Sequence, residues 1–144
     1  MYTTILTVHS WLRWVALIGG IAATLLALRG KGERPGLIFM ITLDIQMLLG
    51  LAMYLAVSPV MAEIRANFGA AMKDPAARFW AVEHITMMLG AVILAHVGRI
   101  IGRKGTPEAR NMKLFICFGI ATAMMLLAIP WPGLRAGRPL FRIP

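Results

Sequence analysis

Four long runs of apolar residues, separated by polar segments, dominate the chain. They cover about residues 5–28, 36–57, 79–101 and 114–131. Each run is close to the roughly 20 residues that an α-helix needs to cross about 30 Å of hydrocarbon. The fourth run is the shortest and stops at Pro130, because proline lacks the amide hydrogen that a continuing helix requires. The pattern therefore predicts four transmembrane helices.

The connections between these runs predict how the helices are arranged. Residues 29–35 and 102–113 are short connections, whereas residues 58–78 form a longer one. Short connections favour antiparallel neighbours. We therefore expect an all-α membrane protein: an antiparallel up-down bundle of four transmembrane helices. It forms a single domain over residues 1–144 and ends in an irregular tail at 132–144.

Composition supports the membrane assignment. Of the 144 residues, 59% are hydrophobic and 15% are charged, and the mean hydropathy is +0.75. A soluble domain carries about 25% charged and roughly 45–50% apolar residues. The single cysteine, Cys117, excludes an intramolecular disulfide. The chain also lacks the Cys-x-x-Cys-His sequence that attaches a c-type haem covalently.

The net charge of +9 lies mainly at the ends of the apolar runs. Basic residues there orient helices and meet anionic lipid head groups, so the expected partner is the lipid membrane and not nucleic acid. The first and third connections, with the adjoining helix ends, hold eight of them: Arg29, Lys31, Arg34, Arg99, Arg103, Lys104, Arg110 and Lys113. The middle connection holds Arg65, Lys73 and Arg78, offset by Glu63 and Asp74. The positive-inside rule then predicts a protein of the bacterial inner membrane with both termini in the periplasm. The tail arginines Arg135, Arg138 and Arg142 count against this orientation.

One end of the predicted bundle is rich in aromatic residues. In an up-down bundle the first and third helices start, and the second and fourth end, in the same leaflet. Every Trp and Tyr of the chain falls there: Tyr2, Trp11, Trp14, Tyr54, Trp80 and Trp131. An interfacial aromatic belt explains each of them singly, but belts usually form on both sides of a membrane.

The same end carries four ionisable residues inside the helices. Such residues cost about 2.5–3.5 kcal/mol each on insertion scales and usually face the protein interior. His9 and Arg13 share a helix face because they are four residues apart. We expect Glu83 to pair with Arg13, and His9 and His84 to lie at similar depth.

Two histidines at matched depth on different helices are what a b-type haem needs, one on each side of the iron. Arg13 or Arg78 would neutralise the haem propionates. Gly19, Gly20 and Gly90 would make room for the macrocycle, although small residues serve helix packing equally well. In the alternative interpretation, the two histidines hydrogen-bond neighbouring groups and fix the helix pairing.

Two further polar residues lie toward the opposite leaflet. His96 follows His84 by twelve residues and points about 120° away from it on an α-helix. We expect it to contact Asp44 of the second helix, with Gln46 as a further candidate. A structural polar contact is favoured here over a proton relay.

Three stretches resemble one family. They are His9-Ser10-Trp11-Leu12-Arg13-Trp14, Phe79-Trp80-Ala81-Val82-Glu83-His84 followed by Met87-Met88, and Ile129-Pro130-Trp131-Pro132. In order and spacing they look like small bacterial four-helix membrane proteins labelled "cytochrome b-like". The resemblance implies that His9 and His84 match that family's histidine motifs.

These observations predict a small membrane electron-transfer protein or subunit with one haem b between His9 and His84. It would exchange electrons with quinol or with a periplasmic carrier. The alternative is a haem-free accessory subunit of a larger respiratory or photosynthetic membrane complex. A catalytic nucleophile is not expected, because no serine or cysteine is arranged with a base.

Overall fold

The structure, a computed structural model, describes residues 1–141, so the predicted tail arginine Arg142 lies outside the described residues. This part of the chain is helical and contains no strand. Four of its helical stretches are long and apolar enough to cross a membrane: Tyr2–Leu28, Glu33–Val57, Pro75–Ile101 and Pro107–Ala128.

Seven α-helices and two π-helical turns make up the described chain. In order, they are α1 (Tyr2–Leu28), α2 (Glu33–Ala52), a first π-turn (Met53–Val57), α3 (Pro59–Ala66), α4 (Phe68–Ala71), α5 (Pro75–Arg78), a second π-turn (Phe79–Glu83), α6 (His84–Ile101) and α7 (Pro107–Ala128). The first π-turn continues α2, and the second joins α5 to α6. The longer middle connection therefore consists mostly of short helices.

The end of α7 also follows from proline chemistry. Ile129 has an extended backbone, with φ −70° and ψ 128°, as is usual for a residue that precedes proline. The helix therefore ends at Ala128, three residues earlier than the apolar run predicts.

Each long helix packs against two of the other three. Helix α1 lies against α2 and α7, and α6 lies against α7 and α2, so α1 and α6 occupy opposite corners. The core between them holds Phe39 and Phe118, both fully buried, with ring centroids 5.9 Å apart in an edge-to-face arrangement. Gly36 lets α2 approach α7, because a Cβ there would collide with the Phe118 ring.

The outer faces of the four long helices carry large apolar side chains. Examples at least 58% exposed are Ile18, Leu25, Leu48, Ile93 and Leu127. Soluble monomers seldom expose contiguous apolar surface of this extent. The outer surface is thus suited to lipid.

Candidate functional site

His9 and His84 face each other across the helix assembly. His9 lies in the second turn of α1, and His84 is the first residue of α6. Their ring centroids are 6.4 Å apart, and the ring planes meet at 61°. Because α1 and α6 occupy opposite corners, the two imidazoles meet in the space between all four helices.

The ring orientation of His84 is fixed by the end of α7. Its Nδ1–H donates to the carbonyl oxygen of Ala128 at 2.8 Å. That carbonyl belongs to the last turn of α7, where no helical amide follows to bond it. With the proton on Nδ1, Nε2 keeps its lone pair, which is the tautomer of a metal-binding histidine held by a backbone carbonyl.

Helix α2 approaches His9 through Gln46 and Gly50. The Gln46 amide nitrogen donates to the His9 carbonyl oxygen at 2.8 Å. A Cβ on Gly50 would lie 3.4 Å from His9 Cε1. Two buried side-chain atoms here, His9 Nδ1 and Gln46 Oε1, have no hydrogen-bond partner among the described residues. His9 Nδ1 can donate and Gln46 Oε1 can accept, so each of these atoms could bond a ligand.

A cavity of about 140 Å³ opens beside both imidazoles. Apolar side chains from α1, α2, α6 and α7 form most of its wall: Leu6, Met47, Leu51, Ile85, Met88, Met125 and Ile129. Polar groups also reach it from several elements: Ser10, Arg13, Gln46, Tyr54 and Arg138. Apolar walls with a few converging polar groups are typical of small-molecule and cofactor sites.

The two π-turns meet at the rim of this cavity. The Tyr54 hydroxyl, on the first π-turn, donates to the carbonyl oxygen of Ala81 on the second at 2.7 Å. Arg65 of α3 in turn donates from Nη1 to the Tyr54 carbonyl oxygen at 2.6 Å. Single π-helical turns within α-helices occur frequently at functional sites. Here they connect the ends of two long helices beside the histidines.

The tail folds back over the aromatic end. Arg13 Nη2 donates to the carbonyl oxygen of Leu140 at 2.6 Å, and Trp14 Nε1 donates to the same oxygen at 3.2 Å. The Phe141 ring stacks on Trp14 with centroids 5.6 Å apart. Arg138 places its guanidinium 5.7 Å from the Trp80 ring centroid and also lines the cavity. We call residues 134–141 the strap.

The expected pairing of Glu83 with Arg13 is wrong. Glu83 Oε1 accepts from Arg78 Nε at 2.9 Å. The cause is the second π-turn, because its i→i+5 hydrogen bonding brings residue 83 over residue 78. Arg78 is therefore engaged outside the cavity that the histidines line, whereas Arg13 and Arg138 both reach that cavity.

The three glycines considered as room for a macrocycle do not line this cavity. Gly19 and Gly20 lie against Phe39, and Gly90 lies against Met124. They allow close helix packing, the other role that the sequence left open. The glycine beside the cavity is Gly50.

The predicted contact between Asp44 and His96 forms at a separate place. Asp44 Oδ1 and His96 Nε2 are 2.9 Å apart, joining α2 to α6. Gln46 takes no part in it and instead bonds the His9 carbonyl oxygen.

No protein-family model matches this chain, and neither a curated protein nor a solved structure matches it. The resemblance to "cytochrome b-like" proteins stays a prediction.

Sequence reasoning named both histidines and Arg13 for this site but did not assign Gln46, Gly50, Tyr54 or Arg138 to it. Gln46, Gly50 and Tyr54 follow one another at intervals of four along α2 and its π-turn. That spacing places the Gln46 amide, the Tyr54 hydroxyl and Gly50, which has no side chain, close to one helix face. No comparable pattern in the sequence indicates Arg138, because its position depends on how the strap folds.

Proposed function

We propose that this chain is an integral membrane protein whose four long helices form an antiparallel up-down bundle. Contacts between helix ends support the antiparallel order. Gln46, late in α2, bonds His9, early in α1. His84, at the start of α6, bonds Ala128 at the end of α7. The large apolar side chains on the outer faces support insertion into lipid.

Within this bundle, the proposed function is that of a b-type cytochrome-like electron-transfer protein or subunit with one haem between His9 and His84. The observation that carries the proposal is the 6.4 Å separation of the two imidazole centroids. Two metal–nitrogen bonds of about 2 Å, with half a ring on either side, span roughly 6 Å. The 6.4 Å separation supports the proposal that both imidazoles would bind one metal ion.

The surrounding residues fit such a group. The Ala128 carbonyl holds His84 in the tautomer with a free Nε2. Arg13 and Arg138 bring two positive charges to the cavity, where they would bind the haem propionates. Gln46 bonds the His9 carbonyl oxygen and so fixes the position of His9 on α1, while the buried His9 Nδ1 has no partner among the described residues. When bound, the haem supplies an iron that gains and loses one electron at a time.

The partners follow from where the site lies. The cavity opens at the aromatic end, within a few residues of the expected membrane surface, so quinol in the membrane or a periplasmic carrier would approach it closely. The chain binds the haem, shields it with apolar walls and covers one side with the strap.

The test is a reduced-minus-oxidised absorbance spectrum of the purified protein, with a pyridine haemochrome assay for haem content. We expect b-type bands and about one haem per chain. His9→Ala and His84→Ala should each lose the haem, because each removes one axial imidazole. His96→Ala is the matched control, since it removes another histidine of α6 outside the cavity, and it should keep the wild-type haem content.

Two results would contradict the haem assignment. One is a wild-type protein that takes up no haem when expressed with ample haem. The other is unchanged haem content in both cavity variants. Either result would favour the haem-free accessory subunit, with His9 and His84 as structural contacts. Co-purification of a larger respiratory or photosynthetic complex with the tagged chain would then be the next observation to seek.

A further inference from the structure

The Asp44–His96 contact lies on an outer face of the protein. Both residues keep much of their side-chain surface exposed, 39% for Asp44 and 44% for His96. The other two ion pairs among residues 1–141, Arg78–Glu83 and Arg110–Glu33, sit at helix ends. Asp44, by contrast, is near the middle of the 25-residue stretch Glu33–Val57. A polar pair at this depth would face hydrocarbon.

Lipid chains cannot supply the hydrogen bonds that this pair still lacks. The Asp44–His96 bond uses Asp44 Oδ1 and His96 Nε2. No hydrogen bond within the described chain reaches Asp44 Oδ2 or His96 Nδ1. Ionisable residues inside membranes almost always face protein or a water-filled cavity, because an unsatisfied polar group in hydrocarbon costs several kcal/mol. Another protein surface is therefore expected to cover the pair.

The two atoms without a partner among the described residues, Asp44 Oδ2 and His96 Nδ1, can bond the same two atoms of a second copy of the chain. When His96 is protonated on both ring nitrogens, Nε2–H donates to Asp44 of its own chain, and Nδ1–H can donate to Asp44 Oδ2 of another chain. A two-fold axis brings residue i of one copy onto residue j of the other, and j onto i. It would place each Asp44 opposite the other copy's His96, so that every acid meets a base. A second copy of this chain thus supplies both missing partners without any other protein.

The surroundings of the pair suit helix packing. Large apolar residues flank it on both helices and are exposed: Ile41, Ile45 and Leu48 on α2, and Ile93, Val97 and Ile100 on α6. Membrane helices associate through such close packing together with interhelical hydrogen bonds. The face formed by these six residues with Asp44 and His96 is called the α2/α6 face below.

We propose that the protein forms a two-fold dimer through the α2/α6 face, in which Asp44 and His96 of each copy bond His96 and Asp44 of the other. The dimer depends on the membrane insertion proposed above but not on haem. Haem binding and dimerisation can therefore fail independently.

Cysteine cross-linking in membranes tests which face forms the contact. In a Cys117→Ala background, single cysteines replace Ile41, Ile45 and Leu48 on α2, with Ile18→Cys on α1 as the exposed control. Under oxidation, we expect at least one α2 cysteine to give a disulfide-linked band of twice the chain mass. Ile18→Cys should stay monomeric. Equal cross-linking at Ile18, or α2 cysteines that link only to a different protein, would overturn the proposal.

Dissociation measurements test the role of the polar pair. Light scattering of the wild-type chain in lipid nanodiscs or mild detergent should give a dimer. Asp44→Leu should raise the dimer dissociation constant about tenfold, since it removes interhelical hydrogen bonds. Asp44→Asn can still bond His96 and should lie closer to the wild type. Circular dichroism controls for the folding of both variants. A monomeric wild type, or a dimer that Asp44→Leu leaves unchanged, would refute the proposed interface.

Discussion

At the scale of single residues, the sequence indicated that the two histidines lie at one level of the helices, but it did not indicate their bonding partners. In the structure, the His9 and His84 ring centroids are 6.4 Å apart. The partner of Glu83 depended on a local change of helix type that brings Arg78 beneath it. Gln46, considered as a further candidate for the Asp44–His96 contact, bonds the His9 carbonyl oxygen instead. On α2 it points away from Asp44, two residues earlier, as helical geometry requires.

The same scale offers a prediction about packing. Gly36→Ala should destabilise the protein by about 1–3 kcal/mol, because the added methyl group collides with the buried Phe118 ring. Phe118 cannot move aside, since it is fully buried and packed edge-to-face on Phe39. The measurement is unfolding of the purified protein in detergent, followed by circular dichroism.

Gly69→Ala is the matched control for this substitution. Nothing lies within 4 Å of a Cβ at Gly69, which sits in the exposed helix α4. The same chemical change there should stabilise the protein by up to about 1 kcal/mol, because alanine restricts the unfolded chain. If both variants unfolded alike, the close α2–α7 contact at Gly36 would be refuted.

At the scale of helices and turns, hydropathy found the four long helices but misjudged their ends. Three helices begin at a polar residue followed by proline: Ser58-Pro59, Asp74-Pro75 and Thr106-Pro107. In each case the polar side chain accepts a hydrogen bond from the amide three residues later, which caps the helix. These signals are local and readable from the sequence. They explain why α7 starts at Pro107 and not at Leu114.

The π-turns could not be predicted from local sequence signals of this kind. Their wider hydrogen bonding depends on contacts such as Tyr54 to Ala81, which join residues 27 positions apart. The path of the strap is equally non-local, since its Leu140 carbonyl oxygen is held by Arg13 and Trp14 at the other end of the chain.

The strap leads to a prediction about local stability. Phe141→Ala should raise hydrogen exchange of the strap amides about two- to tenfold, because it removes ring contacts with Trp11 and Trp14. The most informative amide is that of Arg138, which donates to the Pro130 carbonyl oxygen at 3.0 Å. Mass spectrometry of protein in detergent reads this exchange segment by segment.

Phe68→Ala controls for a general loss of stability. Phe68 is 51% exposed on α4, away from the strap. It should leave strap exchange unchanged, and neither variant should alter exchange in the middle of α7. Unchanged strap exchange in Phe141→Ala would mean that the aromatic contacts do not hold the strap in place.

At the scale of the whole molecule, the proposed up-down bundle would have two chemically different ends. Eight basic residues lie on the connections and helix ends at one side, and some of them also tie helices together there. Arg99 donates to the Glu33 carbonyl oxygen at 2.7 Å, and Lys113 donates to the Ile101 carbonyl oxygen at 3.5 Å. The opposite end carries every Trp and Tyr, the histidine cavity and the strap. An orientation in the membrane therefore decides on which side the cavity opens.

The larger number of basic residues predicts that the end opposite the cavity faces the cytoplasm. A matched pair of substitutions in a Cys117→Ala background tests this. Ala62→Cys lies in α3 beside the cavity end, and Ala109→Cys lies in the first turn of α7 at the basic end. Both positions are exposed. A maleimide that cannot cross membranes should label Ala62→Cys on intact spheroplasts, and Ala109→Cys only after lysis. The reverse pattern would place the cavity on the cytoplasmic side. It would mean that the strap arginines outweigh the basic connections, and a periplasmic electron carrier could then no longer be the partner.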